Sequence, residues 1–403
     1  MLILQNNVEI IKGAKLFCIY NLNTGKMYSL DSLCIEYLMS LINDDSEVIV
    51  PEDIKEYFLK EGILVDGYEL VDELVPYEFD GKVNFAWIEI TQNCNLICRH
   101  CYENASREAR KQEMTVPDFK YVIDKLQESG VKRIQLVGGE PLIHSQIKEL
   151  VKYVTGKFDS IEIYTNGTLL NDEMIEYFKR NNISLAFSVY SDEACIHDYV
   201  TQTKGSYEIT SRNIKKVIEK GIKIRVASVE MKGISKFDFF DKTVPYRSDL
   251  PRLTGRADLS LYNVDMLRRK LITKETFKKP ISADTYFKNK QCHNCFGDRF
   301  YIDCNMNVYP CAMERRVVYG NMKDHDVKEL ISGEMPRMTK DKINGCKDCE
   351  YRYACYDCRA DSNNSPIDGK PWYCTYNPED GTWMDKEKFV QLLLNRQSVI
   401  NSI

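Results

Sequence analysis

Cys94, Cys98 and Cys101 stand in one short segment with C-x3-C-x2-C spacing. Three thiolates this close together can hold three irons of a [4Fe–4S] cube, whose usual ligand set is four cysteines. The fourth iron then lacks a protein ligand and is open to a cofactor or substrate. A closed zinc site is the alternative: zinc loops come as C-x2-C pairs with four ligands, and His100 could complete one. The strand-and-helix pattern that follows favours iron.

Nine further cysteines lie downstream: Cys292, Cys295, Cys304, Cys311, Cys346, Cys349, Cys355, Cys358 and Cys374. Two cubes need eight, although structural zincs also suit the C-x2-C pairs. Cys18, Cys34 and Cys195 are scattered and read as small apolar residues. No apolar run reaches the length of a membrane span, and the start, Met1-Leu2-Ile3-Leu4-Gln5, lacks the basic residues of a signal peptide. A cytoplasmic location is expected, where clustered cysteines mean metal more often than disulfides. A net charge of −5 leaves no basic field for phosphates, which argues against nucleic acid as a partner.

A chain of 403 residues implies two or three units. In residues 1–80, stretches 14–20 and 26–30 read as strands around the turn Asn23-Thr24-Gly25. Helices are expected over 32–42, with Leu33, Tyr37, Leu38 and Leu41 on one face, and near 51–61, with Pro51 in the first turn. Residues 62–70 complete a small winged-helix-like shape. Residues 83–285 alternate strand and helix, with strands expected at 85–90, 134–137, 161–164, 185–189 and 222–229 and a sixth at 257–262. The fold class expected is α/β, a partial (β/α)6 TIM barrel. Residues 286–403 are loop-rich and cysteine-rich, a composition that needs metal to fold.

The cysteine loop, with Tyr102 after it and the expected strand 85–90 before it, resembles that of the radical S-adenosylmethionine (SAM) superfamily. Val137-Gly138-Gly139-Glu140-Pro141, at the end of the second expected strand, is similar to the motif that binds the methionine amino group in that family. Two glycines let a backbone approach a ligand without Cβ obstruction, and Glu140 can accept a hydrogen bond from an ammonium. The resemblance implies that Thr165, Asn166 and Ser188 line the SAM pocket, with Arg225 on the fifth strand a further candidate. It also implies the activity: the open iron chelates SAM, reduction breaks the sulfonium bond to the 5′ carbon, and the 5′-deoxyadenosyl radical takes a hydrogen atom from an unactivated C–H. An electron donor such as flavodoxin or ferredoxin follows as a partner.

The C-terminal cysteines, with Asn307-Val308-Tyr309-Pro310-Cys311, resemble the SPASM domain and its auxiliary [4Fe–4S] clusters. Two departures stand out: Met306 replaces the usual glycine, and the Cys355–Cys358 pair is spaced by two residues, not three. The resemblance implies one cluster on Cys292, Cys295, Cys311 and Cys358, a second on Cys346, Cys349, Cys355 and Cys374, and a spare Cys304. Residues 20–30 resemble the recognition element of peptide maturases, which binds a leader peptide as an added strand. The expected function is modification of a ribosomally made precursor peptide, foremost by a thioether crosslink. Carbon–carbon crosslinking, epimerisation and formylglycine formation are the related outcomes, and a non-catalytic zinc or iron–sulfur interaction protein is the alternative outside enzymes.

Overall fold

The computed structural model describes residues 2–78, 80–105, 112–234, 236–362 and 367–400. The N-terminal unit pairs β1 (Leu2–Leu4) antiparallel with β5 (Leu64–Asp66). A three-stranded meander joins β2 (Val8–Lys12), β3 (Phe17–Asn21) and β4 (Lys26–Leu30). Helices α1 (Ser32–Asn43) and α2 (Glu52–Lys60) cover one face of it. Asp31 starts α1 by accepting the Cys34 amide, which satisfies one of the free N–H groups of a first turn. Alternation splits the meander: Val8 and Ile19 pack on Leu38 and Phe58, while Ile11, Cys18 and Tyr20 pack on Tyr286, Tyr351 and Tyr376 of the C-terminal segment. The unit is thus fastened to the second cysteine field, and the Tyr20 hydroxyl donates to the Glu350 carbonyl at 2.9 Å. Strands β1 and β2 were absent from the sequence expectation; the polar Gln5-Asn6-Asn7 between them blurs the alternation.

The main sheet has nine strands. Six run parallel in chain order: β6 (Phe85–Thr91), β7 (Arg133–Gly138), β8 (Ser160–Thr165), β9 (Ser184–Ser188), β10 (Ile224–Val229) and β11 (Tyr246–Asp249). Helices α3 (Val116–Glu128), α4 (Ile147–Val154), α5 (Asp172–Arg180), α6 (Ala194–Thr201) and α7 (Ser206–Glu219) connect them. Ile134, Leu136, Ile161, Ile163, Leu185, Phe187, Ile224 and Val226 form the core with Phe119, Leu150, Phe178 and Ile214 from the helices. Burial of such a side chain contributes about 1.5–3 kcal/mol. The intervening residues, among them Glu89, Gln135, Glu162, Tyr164, Ser188 and Arg225, belong to the opposite, polar face.

The expected sixth strand at 257–262 is a correction. Those residues hold a 3₁₀ turn, Leu259–Leu261, because Asp258 accepts the Ser260 amide at 2.7 Å and draws the backbone out of extended form. The sixth parallel strand is β11, whose Tyr-Arg-Ser-Asp sequence lacks apolar alternation. The expected boundary at 285/286 does not interrupt the sheet either. After α8 (Val264–Lys270) and α9 (Ala283–Gln291), β12 (Arg299–Ile302) pairs parallel with β6, and β13 (Asn307–Tyr309) and β14 (Gly320–Asn321) follow antiparallel. No helix among the described residues is long and apolar enough to cross a membrane.

Candidate active site

The carboxyl ends of β6 to β9 surround one cavity, and Cys94, Cys98 and Cys101 all contribute to its wall. Backbone pairing fixes the start of their loop. Gly139 N donates to Thr91 O at 2.9 Å and Glu140 N to Asn93 O at 2.8 Å, so the end of β7 holds the end of β6. A Cβ on Gly138 would lie 2.1 Å from Thr91 O, and one on Gly139 2.3 Å from Asn93 O. The glycines are needed first for this strand-to-strand approach; they also face the cavity.

Glu140 is fully buried behind the wall. Its carboxylate accepts from Thr165 Oγ1 at 2.7 Å, Asn166 N at 2.7 Å and Leu142 N at 3.1 Å, which ties β7 to β8. Burial pushes its carboxyl up to about 7 against those bonds. Thr165, Asn166, Ser188 and Tyr102 are on the cavity wall. Asn166 donates to Asn95 Oδ1 at 2.9 Å and so holds the cysteine loop from the β8 side.

Arg225 is elsewhere. Its guanidinium grips Glu162 with bonds of 2.8 and 2.9 Å and contributes nothing to the cavity wall. Arg225→Met is therefore expected to lower stability by about 1–2 kcal/mol, a figure reduced by the partial exposure of the pair. SAM affinity should stay unchanged. Thermal unfolding and calorimetric SAM titration check the two halves.

Two groups went unseen in the sequence. Gly255, with φ +61°, passes so close to the loop that a Cβ would meet Cys101 O at 2.3 Å. Arg256 then clamps the loop: its amide donates to Cys101 O at 3.0 Å, and its guanidinium to Cys98 O at 2.8 Å and Ala105 O at 2.7 Å. They lie in an irregular stretch about 155 residues beyond the cysteines, and no periodicity marks them. Arg256 Nη2 and His100 Nδ1 are buried without a hydrogen-bond partner among the described residues, and both side chains belong to the cavity wall. Burial, reinforced by Arg256, pulls the His100 imidazole down to about 4, so it is neutral at pH 7. Three thiols, an unpartnered guanidinium nitrogen and an open glycine backbone fit an iron–sulfur cube with a polar, anionic co-ligand.

The second cysteine field divides in space. Cys346, Cys349, Cys355 and Cys374 line one cavity. Cys295 lies beside Cys358 and Cys311, its Sγ 3.7 Å from Asp357 O, and buried Cys292 lies nearby around Tyr319. Cys304 lies apart in the sheet core, its Sγ 3.3 Å from Glu89 O. Met306, at the position where a glycine was expected, keeps a glycine-like φ of +66°. Among the described residues, no three His, Cys, Asp or Glu side chains converge on a point that could hold a single ion.

Residues 88–239 match the radical SAM superfamily. Over 144 residues the chain is 36% identical to AlbA, the antilisterial bacteriocin subtilosin biosynthesis protein of Bacillus subtilis, a match spanning 35% of this chain and 32% of AlbA. An AdoMet-dependent heme synthase of Methanosarcina barkeri is 26% identical over 339 residues, 73% of this chain and 96% of that one. Among solved structures, Streptococcus suis SuiB bound to its precursor peptide SuiA is similar over 91% of this chain and 97% of its own, with TM-score 0.57 and 14% identity. The enzyme anSMEcpe with bound AdoMet gives TM-score 0.53 over 79% and 96% at 15% identity. The fold is α/β, a mostly parallel sheet with three cysteines on the wall of one cavity at its carboxyl end. The chain carries a radical SAM domain, in a superfamily that uses a [4Fe–4S] cluster and SAM.

Proposed function

We propose that this protein is a radical SAM peptide maturase that modifies a ribosomally made precursor peptide, foremost by forming a thioether crosslink. The observation that carries the reading is the shared cavity: Cys94, Cys98 and Cys101 face Gly138, Gly139, Thr165 and Ser188 across one space. A cube on the three cysteines with SAM would supply a 5′-deoxyadenosyl radical, which takes a hydrogen atom from a substrate C–H. In this chain, Arg256 holds the loop carbonyls, Glu140 fastens Thr165 and Asn166 in place, and neutral His100 offers a polar contact without adding charge.

The peptide half of the reading rests on the N-terminal unit. Among the described residues β4 pairs with β3 alone, leaving its other edge free for an added strand. That edge borders a cleft lined by Tyr28, Phe277, Tyr351 and Trp383, with Lys274 at its rim beside Lys26 and Lys278, which pair with Glu61 and Glu275. These groups suit a leader that carries acidic and aliphatic side chains. Reversing Lys274 and Lys278 to glutamate is expected to weaken leader binding roughly tenfold, since two rim charges are worth up to about 1 kcal/mol each. Fluorescence anisotropy with the labelled leader reads it.

The likeness to a heme synthase across 96% of that protein favours heme synthesis as a second reading. Anaerobic turnover separates the two. Loss of two hydrogens from a cysteine-bearing precursor peptide, together with 5′-deoxyadenosine, supports the maturase. Turnover of an iron porphyrin with no change in any peptide mass overturns it.

A further inference from the structure

Two buried charge hubs flank Cys358. At the first, one carboxylate, Asp357, meets three nitrogen groups. Lys340 Nζ and His293 Nε2 each lie 2.9 Å from Oδ1, and Arg359 Nη2 reaches Oδ2. His293 Nδ1 accepts the Cys295 amide at 3.0 Å, so Nε2 carries the hydrogen that it donates to Asp357, and the ring is neutral. The hub thus holds two cations against one anion, and all four side chains are at most 1–2% exposed.

The same ratio recurs at Asp361, also fully buried. Arg252 Nη1, on a side chain one-third exposed, lies 2.9 Å from its Oδ2, and the buried Lys270 Nζ shares that oxygen. An unbalanced positive charge in a low-dielectric interior is costly unless an anion accompanies it. A [4Fe–4S] cube in its common oxidised state, with four thiolates, is such an anion.

The two cysteine sets see different fields. Both share the Asp357 hub, since Lys340 donates to Cys355 O and the Arg359 amide donates to Cys295 Sγ at 3.4 Å. The Asp361 hub adds a surplus positive charge beside Cys358 and Cys295, which line the same cleft as Arg252 and Lys270. Around Cys346, Cys349, Cys355 and Cys374, the buried carboxylate of Glu350 beside Cys349 offsets Lys370 near Cys374. Arg352, in the same cavity, is paired with Asp341.

We propose that the Asp361 hub makes the Cys292/Cys295/Cys311/Cys358 cluster the electron sink of the pair, with the higher reduction potential. Reduction adds one electron, hence one negative charge, and a fixed nearby cation stabilises it. This rests on the reading of two auxiliary cubes, and the test separates the two claims.

The full chain with Cys94, Cys98 and Cys101 replaced by alanine is reconstituted anaerobically and titrated electrochemically with EPR detection. About eight irons per chain and two midpoints are expected. Lys270→Met leaves a balanced Arg252–Asp361 pair and lowers the higher midpoint while the lower one stays. Glu350→Gln raises the lower midpoint while the higher one stays. If Lys270→Met loses iron, Asp361→Asn takes its place and should raise the higher midpoint. Movement of the lower midpoint by Lys270→Met, or of neither with iron intact, overturns the proposal. Iron far below eight in the parent overturns the cluster reading and this inference with it.

Discussion

Replacing Cys94, Cys98 and Cys101 together by alanine is expected to abolish SAM cleavage and to remove about four of roughly twelve irons per chain. The three thiols share one cavity wall and one short loop, and among the described residues no other thiol lines that cavity to substitute for them. Burial, followed by the charge of Glu140, pushes the Cys94 thiol up to about 12, so without metal it stays protonated and inert at neutral pH. Binding iron must therefore displace protons, and loading should improve as pH rises. Cys304→Ala is the matched control: its sulfur sits among core side chains and backbone carbonyls, and both iron content and 5′-deoxyadenosine yield should survive. Iron analysis and chromatography of deoxyadenosine read the outcome. Persistent SAM cleavage in the triple variant would remove this loop from the chemistry.

The legible parts of this molecule are those whose signal is local. Cysteine spacing predicts the loop because all three thiols fall within eight residues. Period-two alternation predicts β6 to β10 because each carries one face of a buried sheet. β11 escaped because it is a sheet edge with polar side chains, and 257–262 misled because its alternation belongs to an Asx-stabilised turn. Met306 is instructive in another way. Met306 replaces the usual glycine, yet the backbone there is left-handed, with the Met306 amide donating to Asp303 O at 2.9 Å. Charge hubs are least legible of all: Arg252 and Asp361 are 109 residues apart, and folding alone unites them. Sequence alone casts Glu140 as an acid that accepts from a ligand; its burial behind the wall and its three partners make it a fastener.

The glycine pair concentrates the dependence of the site on backbone approach, and Gly139→Ala should expose it. The new Cβ would fall 2.3 Å from Asn93 O and 2.8 Å from Gln92 O, both backbone atoms that cannot rotate away. Either β7 or the start of the cysteine loop must move. A displacement near 1 Å at reacting groups costs about 100-fold in rate, so SAM cleavage should fall by at least that factor, with iron content reduced as well. Gly138→Ala should be equally severe, since its Cβ meets Thr91 O at 2.1 Å and its φ of +154° disfavours any side chain. Gly333→Ala is the control: its φ is −62° and its nearest neighbour lies at 3.7 Å, so rate and melting temperature should match the parent. Iron analysis, SAM turnover and thermal unfolding on the three variants decide it. Full turnover in Gly139→Ala would mean that the contact between β6 and β7 does not set the position of the cysteines.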